Sequence, residues 1–149
     1  MEKVCRDWAK QAFGEGLVDA KYWDEFATNA QTAAAEVYKV KDFAAGEAKL
    51  KELLAQYAPK EIIAVGGEEN PALHDIYERI GKEGTQIYTD KFDIYDHRDS
   101  ADVGISTAEF CVAETGSLCV DNYSYEARVT SMLPFVNIVF VNANYIVKD

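Results

Sequence analysis

The chain has 149 residues, 26 of them acidic and 15 basic, for a formal net charge of −11 at pH 7. That length suits a single domain on the usual scale of roughly 100–200 residues, and a chain of this size can bury about 68–70% of its unfolded surface without cross-links. An acidic surface excludes nucleic acid and anionic membranes as partners, since both are gripped through Lys and Arg, and no apolar run approaches the roughly 20 residues that span a bilayer.

The N-terminus, MEKVCRDWAKQAF, is charged at helical spacing and lacks an apolar signal core, so a cytoplasmic location is expected. The first ~20 residues read as a helix with Val4, Trp8 and Ala12 on one face, closed by Gly14 and Gly16. A second helix is predicted over 21–34. Residues 35–40 alternate in polarity with a β-branched bias and read as a strand. Asp42 is a candidate N-cap for a helix whose stripe is Phe43, Glu47, Leu50, Leu53, Leu54 and Tyr57, with Glu47 as its polar exception and Pro59 as its end.

Residues 61–65 form a short apolar run ending in Gly66-Gly67, the pattern of a buried parallel strand. Asn70 and Pro71 are a cap and first-turn pair for a helix reaching about Lys82. Gly84 breaks it, and 85–89 forms the next strand. Strands alternating with helices predict parallel βαβ units with right-handed crossovers. After Ala101 helical spacing disappears, and strand-like runs follow at 103–105, 110–113, 118–120, 135–141 and 145–147. The expected fold is α/β, with a mixed sheet covered by helices in one domain.

Three cysteines, Cys5, Cys111 and Cys119, without C-x-x-C spacing, predict reduced thiols and no metal or cluster in this chain. Gly66-Gly67 sits where a βα loop can cradle a phosphate, but Glu68 and Glu69 put negative charge at its mouth and no P-loop lysine follows, which favours a tight turn. His74 and His97 lack ligand partners at i+3 or i+4, and the mixed charges around His97 read as a solvated surface segment.

The turn Ala113-Glu114-Thr115-Gly116 is more informative. It joins two apolar runs, and 111 and 119 lie symmetrically about 115. A hairpin then sets Cys111 opposite Cys119 and puts Glu114 at its tip, beside a glycine that leaves room for a ligand. A carboxylate there can act as base, nucleophile or acceptor, or be an ordinary exposed acid. Between Arg98 and Lys148 the only basic residue is Arg128, among Asp99, Asp102, Glu109, Glu114, Asp121 and Glu126. Its guanidinium can neutralise Glu114 or Glu126, or grip a substrate carboxylate or phosphate.

The stretch DVGISTAEFCVAETGSLCV over 102–120, with Glu126-Ala127-Arg128 and Met132-Leu133-Pro134 after it, resembles the LUD family of lactate-utilisation proteins, of the LutC and LutB type. The resemblance is strong over 102–147, and upstream from about residue 23 the order of elements agrees. It implies a three-layer α/β/α fold similar to the superfold of sugar-phosphate isomerases, CoA transferases and formyltetrahydrofolate cyclo-ligases. It also implies a cytoplasmic role in oxidising L-lactate to pyruvate, with iron–sulfur clusters in partner subunits and no cofactor in this chain. Matched position by position, it points to Gly104, Ser106, Glu114, Thr115, Gly116, Arg128 and Pro134. Family members usually continue past the position of Val147 into a Ser-x-Thr-x-Asp-Ile segment, so a site built from both segments is expected to be incomplete here.

The resulting expectation is a component of a lactate-oxidising system that binds a small organic acid or phosphorylated ligand through Gly104, Ser106, Thr115, Gly116 and Arg128. Two alternatives stand beside it: an acyl or CoA-type transferase with Glu114 as nucleophile, and a non-catalytic module for subunit assembly, including self-assembly.

Overall fold

The computed structural model describes residues 17–120 and 122–149, so the expected N-terminal helix and Cys5 lie outside the described residues. After a single 3-10 turn at Ala20–Tyr22, the elements in chain order are α1 (Trp23–Thr32), α2 (Phe43–Tyr57), β1 (Glu61–Ala64), α3 (Pro71–Lys82), β2 (Gln86–Tyr88), α4 (Lys91–His97), β3 (Val103–Thr107), β4 (Phe110–Val112), β5 (Ser117–Cys119), α5 (Tyr125–Met132), β6 (Val136–Phe140) and β7 (Ile146–Val147). They fall into two compact units. One takes the described residues up to Lys39 with Ala108–Tyr123 and Val141–Asp149; the other takes Val40–Thr107 and Ser124–Phe140.

The second unit is the α/β half. The Asp42 side chain accepts from Ala45 N at 2.8 Å and starts α2, which stops at Ala58 in the left-handed region (φ 45°), just before Pro59. Asn70 caps α3 in the same way, with Pro71 in its first turn. The four strands run parallel in the order β2-β1-β3-β6. Alternation along β1 divides the core: Ile62 and Ala64 pack with Leu50 and Leu54 of α2 and Leu73, Ile76 and Ile80 of α3. Ile63 points the other way, toward Ile94 of α4 and Val129 of α5. With helices on both faces, the unit has three layers, α/β/α.

The first unit is a three-stranded sheet in the order β5-β4-β7, with β4 antiparallel to β5 and parallel to β7. Phe26 and Ala30 of α1 pack on Cys111, Ala113 and Ile146. The fold is therefore α/β with mixed strand directions, and the mixing is confined to this small sheet.

Three local expectations are corrected. Residues 35–40 form no strand: they have no regular structure and are mostly exposed, and only Val37 packs on a core. Residues 91–97, to which spacing assigned no element, form the helix α4, started by Asp90 accepting from Phe92 N at 2.8 Å, and the segment around His97 lies at the surface as expected, with Tyr95, Asp96 and Asp99 exposed. Helix does return after Ala101, as α5 behind the Ser124 cap. Both helices are too short for periodicity to reveal. Last, the hairpin register pairs Cys111 with Leu118 and Phe110 with Cys119, because Gly116 N closes the turn onto Val112 O at 2.9 Å. The turn therefore centres between Glu114 and Thr115, and the cysteines are one residue out of register.

Candidate functional site

The Ala113–Gly116 turn is held through its backbone. Ala113 is fully buried. Its N–H donates to Val147 O at 2.9 Å, and Glu114 N–H donates to Lys148 O at 2.9 Å. Asn29 of α1 donates from Nδ2 to the carbonyls of both Ala113 (2.9 Å) and Glu114 (3.0 Å). Gly116 has φ +67°, and a Cβ there would lie 2.2 Å from Ala30 N. The space on that side of the glycine is thus filled by the backbone of α1. The Glu114 and Thr115 side chains are exposed.

Gly104, Ser106, Arg128 and Pro134 belong to the second unit, whereas Glu114, Thr115 and Gly116 belong to the first. Gly104 faces α5 so closely that a Cβ would sit 2.1 Å from Thr130 O and 3.0 Å from Pro134 Cγ, so the glycine and the proline share one helix–strand contact. Ser106 is buried, and its Oγ donates to Asn137 Oδ1 at 3.4 Å. Asn137 Nδ2 in turn donates to Ser131 O at 2.9 Å. Beside this chain the fully buried Thr130 hydroxyl has no partner among the described residues. Arg128 is exposed on α5.

These groups belong to a sheet with a topological switch. From β1 the chain crosses over α3, on one face, to β2; from β2 it crosses over α4, on the other face, to β3. The loops beyond β1 and β3 therefore diverge, and in open parallel sheets ligands bind in the crevice at the carboxyl ends of such strands. Here those ends carry Val65-Gly66-Gly67 and Ser106-Thr107. Gly66 (φ +90°) is pressed on Thr107, whose Cγ2 would be 2.7 Å from a Cβ. Tyr77 of α3 donates from its hydroxyl to Val65 O at 2.9 Å, and its burial pushes the phenol pKa up. Gly66-Gly67 is thus a close-packed turn. Thr107 and Asn137 are the polar groups that sequence reading missed, because only strand register brings them near Gly66 and Ser106.

The histidines differ. His74 is exposed. His97 is half-buried: its ring stacks on Tyr88 at 3.7 Å and 9°, and Nδ1 lies 3.2 Å from Glu61 Oε2. Ser100 Oγ donates to the same oxygen. Ser100 and then His97 hold the Glu61 carboxyl below its ordinary value. Burial pushes the Cys111 thiol up to about 12, which removes it as a nucleophile near neutral pH. Among the described residues no three His, Cys, Asp or Glu side chains gather as metal ligands, and no helix is long and apolar enough to cross a membrane.

The family model for the LUD domain matches residues 23–149. No curated protein and no solved structure matches the chain.

Proposed function

The chain belongs to the LUD domain family, and on that premise we propose that it is a component of a lactate-utilising system, binding a small carboxylate- or phosphate-bearing ligand. The observation that carries the reading is the switch between β1 and β3, with Ser106 and Thr107 at the end of β3 and Asn137 of the neighbouring β6 bonded to Ser106. A ligand acid group in a protein of net charge −11 needs a local cation, and Arg128 on α5 supplies one whose planar fork matches a carboxylate or phosphate. In this reading the chain works in the cytoplasm, contributes binding and orientation, and holds no cofactor of its own. Electron transfer from lactate takes place on iron–sulfur partner subunits.

Titration calorimetry with L-lactate, pyruvate and inorganic phosphate, on wild type and on Arg128→Ala, tests this. Loss of one good charge-assisted contact weakens affinity by roughly tenfold or more, and Arg128→Lys should restore only part of it. Equal binding by wild type and Arg128→Ala removes Arg128 from the site. A wild type that binds none of the three sinks the ligand reading.

One observation favours a second reading, acyl transfer through Glu114: its backbone is fixed on both sides while its side chain is exposed. An acyl thioester would then transfer its acyl group to the carboxylate, releasing the thiolate and leaving an acyl-glutamyl anhydride. Hydroxylamine trapping at Glu114, followed by mass spectrometry, should find the hydroxamate; its absence with several acyl-CoA donors would count decisively against transfer.

A further inference from the structure

The outer face of α4 and α5 in the second unit carries a stripe of large apolar side chains. On α4, Phe92 is 68% exposed, and Tyr95, one turn on, shares its face. The Tyr95 ring lies 5.7 Å from that of Tyr125, which opens α5. Met132, two turns along the same side of α5, is 72% exposed, and beyond the helix Leu133 is half exposed and Phe135 is 99% exposed.

At roughly 200 Å² per large side chain, the exposed parts sum to on the order of 700 Å². That exceeds the largest apolar patch of an ordinary monomer, about 300–600 Å². It approaches the roughly 800 Å² that each partner contributes to a stable interface.

The charges on the same helices point to the occupant. Lys91, Arg98 and Arg128 stand among Asp90, Asp93, Asp96, Asp99 and Glu126, charges of both signs within a chain of net charge −11. A uniformly acidic face would repel its own copy and suit a basic partner. A face of mixed sign can meet itself across a two-fold axis with unlike charges opposed.

We propose that this face is the isologous interface of a homodimer, with Phe135 and Met132 among its anchors. Sedimentation equilibrium on the full chain over a wide concentration range tests it, with circular dichroism to confirm that each variant is folded. Wild type should move by mass action from 16.6 kDa toward twice that mass. Phe135→Asp and Met132→Asp should each raise the dissociation constant at least roughly thirtyfold, as for central interface residues. Tyr57→Asp, on the exposed end of α2, should leave it unchanged. The proposal is overturned if wild type stays at 16.6 kDa at every concentration, or if neither substitution on the stripe weakens association. It is also overturned if Tyr57→Asp weakens association as much, or if wild type dimerises only after removal of residues 1–16, which would make the chain's own N-terminal segment the occupant.

Discussion

Gly104 and Gly116 each have a packing reason to lack a side chain, and the two reasons differ. At Gly104 the backbone is ordinary and the constraint is steric: a methyl group would lie 2.1 Å from the Thr130 carbonyl, on a helix that cannot retreat without dragging Pro134. Gly104→Ala should therefore destabilise the protein by about 1–3 kcal/mol, the usual range for overpacking. Denaturant unfolding measures this, and an unchanged midpoint would mean that α5 is free to shift. At Gly116 a positive φ of +67° adds conformational strain to a 2.2 Å approach by Ala30 N. Gly84, at φ +97° with nothing within 4 Å of a Cβ, has the strain alone. Family resemblance marked Gly104 and Gly116 as ligand contacts. That a helix presses on each was not legible, because Gly116 and Ala30 are far apart in the chain.

Helix α2 illustrates the element scale. The middle of its stripe, Leu50, Leu53 and Leu54, was read correctly from spacing, whereas Phe43 and Tyr57 at its ends are exposed; the reason for the polar exception, Glu47, is tertiary. Glu47 accepts from Arg79 of α3 at both Nε (3.0 Å) and Nη2 (2.7 Å), and Lys51 approaches it at 3.2 Å. The Arg79 hydrogen bonds come first in holding its carboxyl at about 2 instead of 4.5. A carboxyl lowered on folding stabilises the fold above its unfolded value, and that contribution is lost as pH falls from about 4.5 toward about 2. Glu47→Gln should accordingly lower the unfolding midpoint at pH 7. The difference from wild type should shrink as pH falls through that window, read as denaturant midpoints at a series of pH values. A difference that does not change with pH would show that the carboxylate's charge contributes nothing to stability. The tie from Glu61 to His97 joins β1 to α4 by the same kind of long-range pairing. Thirty-six residues separate its partners, so the run around His97 reads as surface, which Tyr95, Asp96 and Asp99 are, while the packing of His97 itself comes only when the sheet assembles.

Across the whole molecule, the parts decided by local chemistry were legible: the Asp42 and Asn70 caps, the stop at Pro59, the buried run of β1, and the βαβ rhythm that implies parallel strands. Spacing and composition also carried the α/β class, and the AETG run with Arg128 and Pro134 carried the family. Three matters were decided only by tertiary structure. Residues 35–40 have a strand's alternation, but no ladder forms there, and a strand without a hydrogen-bonded neighbour is not one. Helices α4 and α5 are short, stabilised by burying Ile94 and Val129 against Ile63 more than by their own sequence, so no periodicity announced them. The hairpin closes through the local bond from Gly116 to Val112, but its turn is held by Asn29 of α1 on the carbonyls of Ala113 and Glu114, and one residue of slip separates Cys111 from Cys119. Local chemistry determined where elements start, stop and face; which of them meet depended on contacts between residues dozens of positions apart, which exist only after the chain has folded.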